Sequence, residues 1–253
     1  MFVKERQRLI LEDLRKNGHV RVKDLSQQFQ VSEDLIRKDL AALQQQGYLQ
    51  KIYGGGVYRQ ENTHHMLSTQ RKLMHVDAKE KIVEKAYELI RVGMFVFLDI
   101  SSFSVYLAQY LVQHEINITV VTNMVEVVNI LAPTDTKVIC VGGEFDYGHD
   151  GFVGTLTNQF LEKFRFDLAF LGCVGIDVFS QSIMTYMAND GATKANVIQR
   201  SKQSYLLCEY DKFFQLGNYT YAMIDEFTGL ISDRPLPVEM QEEVLKTGTQ
   251  WIL

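Results

Sequence analysis

Apolar positions in the first 57 residues recur at helical spacing in three short blocks. In RQRLILEDLRKNG, Leu9, Ile10, Leu11 and Leu14 fall on one side of a helix, and Gly18 follows as a stop. Val22, Leu25 and Phe29 repeat at i, i+3 and i+7, which predicts a second helix ending at a break over Gln30 and Val31. Ser32 is placed as the N-cap of a third helix, whose buried stripe is Ile36, Leu40 and Leu43 and whose end is Gly47. The segment GYLQKIYGGGVYR then alternates about a glycine turn, as two short strands do.

Two helices, a tight break, a third helix and a glycine hairpin, in that order, predict a winged helix-turn-helix and hence a double-stranded DNA operator as partner. Glu33, Arg37 and Lys38 lie off the buried stripe of the third helix, where a helix docked in the major groove needs polar and cationic groups. Ser32 at its start is counted with them, and Lys51 and Arg59 on the wing are positioned for phosphates. The three consecutive glycines do not form a nucleotide cradle, because no Lys-Ser or Lys-Thr follows and they open no helix.

Beyond the wing, residues 58–76 are polar and weakly periodic and read as a linker, which assigns 1–57 to the DNA-binding domain and 77–253 to a larger one. Asp77 and Glu80 have capping-box spacing at the head of a helix carrying Ile82, Ala86, Leu89 and Ile90. The continuous apolar runs MFVFLD, ITVVT, KVICVGG, DLAFLGCVG and YLLCEYDKF then alternate with amphipathic segments. This is the pattern of an α/β domain with a mainly parallel sheet covered on both faces. Ligands of such folds sit beyond the carboxyl ends of the strands, so the residues that follow each run carry the candidate site.

After the first run, Asp99, Ser101, Ser102 and Ser104 open a helix and offer hydroxyls and unpaired amides to an anion. Thr122 and Asn123 follow the second run, Gly142 and Gly143 the third, Gly172 the fourth and Glu209 the fifth. Lys194 and Lys212 supply cations, and the set favours a small phosphorylated or otherwise anionic ligand.

Net charge is −5, which taken whole argues against nucleic acid, but it is divided unevenly. Residues 1–60 hold 11 Lys/Arg against 7 Asp/Glu, and the remainder 15 against 24, so the basic excess sits where DNA contact is expected. Cys140, Cys173 and Cys208 are isolated in apolar segments and are expected as buried thiols, not as a disulfide framework. His64, His65 and His75 have no carboxylate or Cys at ligand spacing, and neither a metal nor a cofactor is expected. No apolar run reaches the about 20 residues of a membrane span and no signal peptide precedes Lys4, so no membrane partner is expected and the expected location is cytoplasmic.

The run VSEDLIRKDLAALQQQGYLQKIYGGGV, preceded by Arg8 and its spaced aliphatics, resembles the recognition helix and wing of the DeoR family of bacterial transcriptional regulators. Leu35 stands where that family usually has Thr. The segments FLDISSFS, VVTNMVEVVNIL, VGGEFDYGHDGFVG, FDLAFLGCVGID and the Glu209–Phe213 run extend the likeness over nearly the whole chain. The resemblance implies an effector domain like ribose phosphate isomerase that senses sugar phosphates. It assigns the phosphate loop to Asp99, Ser101, Ser102 and Ser104, the Gly-Gly strand end to Gly142 and Gly143, and the later lysines to Lys194 and Lys212. Here the loop has lost the family's glycine and gained Ile100 and Phe103, and its Asp-x-Ser-Lys pattern has become Glu209-Tyr-Asp-Lys212.

The resulting expectation is a DNA-binding regulator, a repressor of a carbohydrate operon, controlled by a sugar phosphate and acting as a homo-oligomer, at least a dimer. One alternative is a sugar-phosphate isomerase with a helical appendage, for which Glu144, Asp146 and Asp177 are candidate bases. The other is a regulator whose second domain only oligomerises, with Ile100 and Phe103 filling the anion site.

Overall fold

The computed structural model describes residues 2–58, 72–148 and 150–253, without the side chains of residues 15–17 and 58. They divide into two compact units, Met1–Thr63 and His64–Leu253.

In the first unit the expected helices form as α1 (Val3–Asn17), α2 (Val22–Phe29) and α3 (Glu33–Gln45). Ile10, Leu14, Val22, Leu25, Ile36, Leu40 and Leu43 are buried together, with Leu11 and Phe29 packed at the margin. Gln30 takes a left-handed φ of 52° and so turns the chain between α2 and α3. Past α3 the Tyr48 amide reaches back to the Leu43 carbonyl, and Gly47 at φ 80° permits that closure. The wing contains a strand that the pattern did not reveal: β1 (His19–Arg21) pairs with β3 (Gly55–Tyr58), which pairs with β2 (Leu49–Ile52). This explains the glycines. Gly54 turns at φ 73°, and a Cβ on Gly55 would lie 2.1 Å from the Val20 carbonyl oxygen of β1.

The second unit is built on a parallel sheet of seven strands, in the order β15-β14-β12-β9-β4-β5-β6. From α4 (Val76–Tyr87) the chain enters β4 (Phe95–Leu98) and runs outward through α5 (Ser102–His114), β5 (Thr119–Thr122), α6 (Val125–Leu131) and β6 (Lys137–Cys140). A hairpin, β7 (Glu144–Asp146) and β8 (Gly151–Val153), and α7 (Thr155–Leu161) bring it back to β9 (Phe166–Gly172), on the other side of β4. It continues outward through β12 (Ser201–Leu207), β14 (Gly229–Ile231), α9 (Val238–Lys246) and β15 (Gln250–Ile252). Between β9 and β14 are β10 (Gly175–Asp177), β11 (Ser182–Thr185), α8 (Ala188–Arg200) and β13 (Tyr219–Met223), of which β10, β11 and β13 form a separate antiparallel sheet.

Strand order thus reverses between β4 and β9, the point at which a doubly wound sheet opens a crevice at its carboxyl edge. The central strands are apolar because both faces are covered: Val96, Leu98, Val120, Leu168 and Phe170 are all fully buried.

Three sequence expectations change. Asp77 does not cap α4: the helix starts one residue earlier, with His75 at its N-cap and a left-handed φ of 52°. Asp77 therefore lies in the first turn, where its charge still suits the helix dipole. Cys140 is exposed, since β6 is the edge strand, and Cys173 is half-buried; only Cys208 is enclosed. Finally, β14 and β15 extend the five expected strands to seven, each being too short to leave a pattern.

Candidate functional site

In the DNA-binding unit, Ser32 is exposed and its hydroxyl accepts from the Leu35 amide at 3.4 Å, capping α3. One turn on, Arg37 is exposed and held by Glu33 at 2.5 Å and Asp34 at 2.9 Å, so its charge is balanced on its own helix. Lys38 is exposed and has no ion-pair partner among the described residues. The Lys51 side chain is exposed on the wing, while its backbone amide donates to Gln44 Oε1 at 2.8 Å and so ties the wing to the end of α3. Arg59 lies outside the described residues.

Sequence reasoning missed the group that orients this helix. Asp39, on the buried side of α3, accepts from Arg6 Nε at 2.5 Å and from Gln7 at 3.2 Å, with both ion-pair side chains under 5% exposed. An Asp in an amphipathic pattern reads as solvated. Only the packing of α1 against α3 shows it to be internal.

The α/β unit brings the first, fourth and fifth strand ends together at the switch point. Asp99, just past β4, is buried and accepts three hydrogen bonds: from the Gly172 amide at 2.7 Å, from Ser104 Oγ at 2.9 Å and from Lys194 Nζ at 2.5 Å. Ser101 caps α5 by accepting from the Ser104 amide at 3.2 Å. The end of β9 presses on this loop, since a Cβ on Gly172 would lie 2.8 Å from Ser101 Cβ. Ser102 is the loop hydroxyl with no partner among the described residues. The loop therefore offers an anion Ser102, the helix N-terminus and little from Ser104, whose hydroxyl is committed to Asp99.

Lys194, expected as a cation for the ligand, is enclosed between Asp99 and, at 3.2 Å, Asp190. Burial alone would pull its ammonium down, but the two carboxylates hold it above the ordinary lysine range. Its charge is already neutralised, and it acts as the strut that joins α8 to β4. Gly143 also has a structural role. A Cβ on it would strike Thr157 Oγ1, whose hydroxyl donates to the Gly142 carbonyl at 3.0 Å, so Gly143 admits α7, whereas a Cβ on Gly142 would meet nothing within 4 Å.

After β12, Glu209 and Lys212 sit on a single-turn 3-10 helix, Tyr210–Phe214. Glu209 is buried and paired with Lys79 of α4 at 2.8 Å, while its Oε2 has no hydrogen-bond partner among the described residues. Burial pushes its carboxyl up, but Lys212 and Lys79 outweigh that and leave it below the usual range. Lys212 is half-buried and donates to Gln215 at 3.2 Å, which leaves it the adaptable cation of the cluster. Cys173 lies among these charges, and desolvation pushes its thiol up to about 12, so it stays protonated and is no nucleophile. Lys79 was not among the expected site residues, and Glu209 was noted only as following the fifth run. Nothing in the spacing of two residues 130 positions apart could have paired them.

Ile100 and Phe103 do not project from the loop into solvent. Both belong to the core beneath the sheet, Ile100 against Gly151 and Phe103 with Lys79 Nζ 5.9 Å from its ring centroid. Nor do the candidate bases converge on the switch point. Glu144 and Asp146 stand on the β7–β8 hairpin, and Asp177 accepts from the Phe179 amide in the turn after β10.

A winged helix-turn-helix joined to an α/β unit whose switch point presents a capped helix N-terminus defines a two-domain DNA-binding regulator with a sensor domain. Comparison with known proteins agrees. Residues 6–62 match the DeoR-like helix-turn-helix domain and residues 74–234 the DeoR C terminal sensor domain. The chain is 29% identical over 234 residues to the glycerol-3-phosphate regulon repressor of Escherichia coli (strain K12), covering 92% of each chain. It is 30% identical over 238 residues to the L-fucose operon activator of Haemophilus influenzae, covering 94% of each. Among solved structures, ribose 5-phosphate isomerase A of Methanocaldococcus jannaschii overlaps 55% of this chain and 54% of its own, with a TM-score of 0.40 and 14% identity. The chain belongs to the DeoR family: it is a regulator of transcription and not an enzyme.

Proposed function

We propose that the protein is a cytoplasmic repressor of a carbohydrate-use operon, and that a sugar phosphate bound at the carboxyl ends of β4, β9 and β12 changes its affinity for the operator. The observation that carries this reading is the pairing of β9 with β4 on one side and β12 on the other, which sets the loop before α5 and the Lys212 turn on either side of the end of β9. The phosphate is received by Ser101, Ser102 and the first amides of α5, with Lys212 as its mobile counter-charge, while Asp99, Ser104 and Lys194 hold the loop in shape. Repression is the sense carried by the glycerol-3-phosphate regulon repressor. The L-fucose operon activator supports the opposite sense, and a promoter reporter that falls on deletion of the gene would favour it.

One small head makes few base contacts, so the working form is a homodimer or larger, with paired heads on repeated half-sites. Light scattering of the full chain at micromolar concentration is expected to give at least twice the monomer mass. A monomer that footprints a single half-site is the contrary result.

Calorimetry of the full chain with glycerol 3-phosphate, glucose 6-phosphate and fructose 1-phosphate tests the ligand class. At least one should bind and alter affinity for operator duplexes recovered by selection from a random pool, and Lys212→Ala should weaken that binding. The reading fails if none binds, or if the dephosphorylated sugar binds equally well.

A further inference from the structure

The turn that carries Lys212 also holds the chain at the point where the α/β unit begins. Lys79, in the first turn of α4, is almost wholly buried, yet it has two hydrogen-bond partners. Its ammonium donates to Glu209 Oε1 and, over a short contact, to the backbone carbonyl of Met74. Two residues beyond Glu209, Asp211 Oδ2 lies 3.7 Å from His75 Nε2. Residue 79 is thus engaged by Glu209 and residue 75 approached by Asp211, while residue 74 is reached only through Lys79, and the next residue of the same turn is the cation Lys212. The turn is compact, because the Lys212 amide donates to the Glu209 carbonyl at 2.9 Å. Met74 and Leu73 expose their side chains, so polar contacts and not apolar packing fasten this end of the chain: the Met74 carbonyl to Lys79, the Lys72 carbonyl, which accepts from the Tyr106 hydroxyl at 3.0 Å, and the Lys72 ammonium, paired with Glu126. In sequence, the segment preceding residue 72 runs to the DNA-binding unit.

We propose that the Glu209–Lys212 turn couples the ligand site to the connector, with Lys79 as the positioning residue shared between Glu209 and the Met74 carbonyl. The inference rests on the sugar-phosphate reading above. Glu209 has two cationic neighbours, Lys212 and Lys79, and a buried Oε2 that has no hydrogen bond among the described residues. An anion that engages Lys212 withdraws one of these cations and sets a like charge beside the carboxylate. Glu209 then leans on Lys79 alone, and the ammonium is drawn towards it and away from Met74. Ligand binding is in this way converted into loosening of residues 72–79, where the connector joins α4.

The test is amide hydrogen exchange and operator affinity of the full chain, with and without whichever of glycerol 3-phosphate, glucose 6-phosphate and fructose 1-phosphate binds. In the wild type the probe should lower protection over residues 72–79 and shift operator affinity. Lys79→Met should still bind the probe but lose both responses, and Lys79→Arg, which keeps the charge and the donors, should restore part of them. If Lys79→Met does not fold, Lys79→Met/Glu209→Gln, which removes the buried pair together, serves for the same measurements. A folded Lys79→Met or double variant that responds as the wild type does, or a wild type in which the probe leaves residues 72–79 unchanged while operator affinity shifts, overturns the coupling and leaves the sugar-phosphate reading intact. A wild type that binds none of the three probes removes the sugar-phosphate reading, and the coupling with it.

Discussion

Asp39→Ala would strand the Arg6 guanidinium in the interior of the winged unit, where one Arg6 nitrogen already has no partner among the described residues. Breaking a buried ion pair from one side costs about 3–5 kcal/mol, much more than an exposed pair contributes. Scanning calorimetry of the full chain should show the loss confined to the DNA-binding unit, with the α/β transition unmoved. The same logic separates the two lysines expected at the ligand site. Lys194→Met leaves Asp99 and Asp190 without their counter-charge and should destabilise the α/β unit by about 3–5 kcal/mol. Lys212→Ala, at a half-buried side chain bonded to Gln215, should weaken ligand binding with little change in thermal stability. Equal losses of stability in the two variants would contradict the division of roles argued here.

At the scale of elements, α3 presents two cations with different freedom. Arg37 is clamped by Glu33 and Asp34, whereas Lys38 one residue on is open. A contact to DNA by Arg37 must first displace its carboxylates. Lys38→Ala is therefore expected to weaken operator binding more than Arg37→Ala, by about 1–3 kcal/mol if the contact is to a base, or with a reduced salt slope if it is to phosphate. Glu33→Ala should have the opposite sign, because it leaves Arg37 with Asp34 alone and removes a negative charge from the approach to the groove. Gel-shift titrations at several salt concentrations decide both; a Glu33→Ala variant that binds more weakly would show that Glu33 itself reads the operator. The wing is equally constrained. Gly55 cannot take a side chain without meeting the backbone of β1, so the hairpin that carries Lys51 is fixed by a strand outside it.

For the molecule as a whole, stability and pH are linked through the buried carboxylate that joins the ligand turn to α4. The Glu209 carboxyl is depressed in the folded state, so its contribution is present above its unfolded value and is lost as pH falls through the lower folded value. Asp167 acts in the same sense, held down first by its hydrogen bond to Lys202 and then by the Phe95 amide. The α/β unit should therefore lose stability on acidification through and below the ordinary carboxylate range. The slope should be shallower in Lys79→Met, where one of the cations that depress Glu209 is gone. Urea melts across that range test this, and an unchanged slope would assign the acid sensitivity to other groups.

Local chemistry was legible along the chain. Helical spacing located α1, α2 and α3, the serine before Glu33 announced its cap, and continuous apolar runs marked β4, β5, β6, β9 and β12, because each signal lies within a dozen residues and reflects burial of one face or two. The loop at Asp99–Ser104 was legible as the helix-opening segment after the first run, and the family likeness gave it the role of phosphate loop. What remained hidden depends on partners distant in sequence. Arg6, Asp39 and Lys79 lie in patterns that read as solvated surface, and Asp99, Lys194 and Glu209 in ones that read as ligand groups, yet Arg6 pairs with Asp39, Lys194 with Asp99 and Lys79 with Glu209 in the interior, where two elements meet. Ile100 and Phe103 looked like obstructions in an anion loop, yet the direction of α5 turns both into the core. Gly55 and Gly143 looked like turn or ligand glycines, but the nearest atoms belong to β1 and α7. Period and propensity are properties of a segment, whereas charge compensation and steric clearance belong to pairs of segments, and those pairs exist only once the sheet has set its strand order.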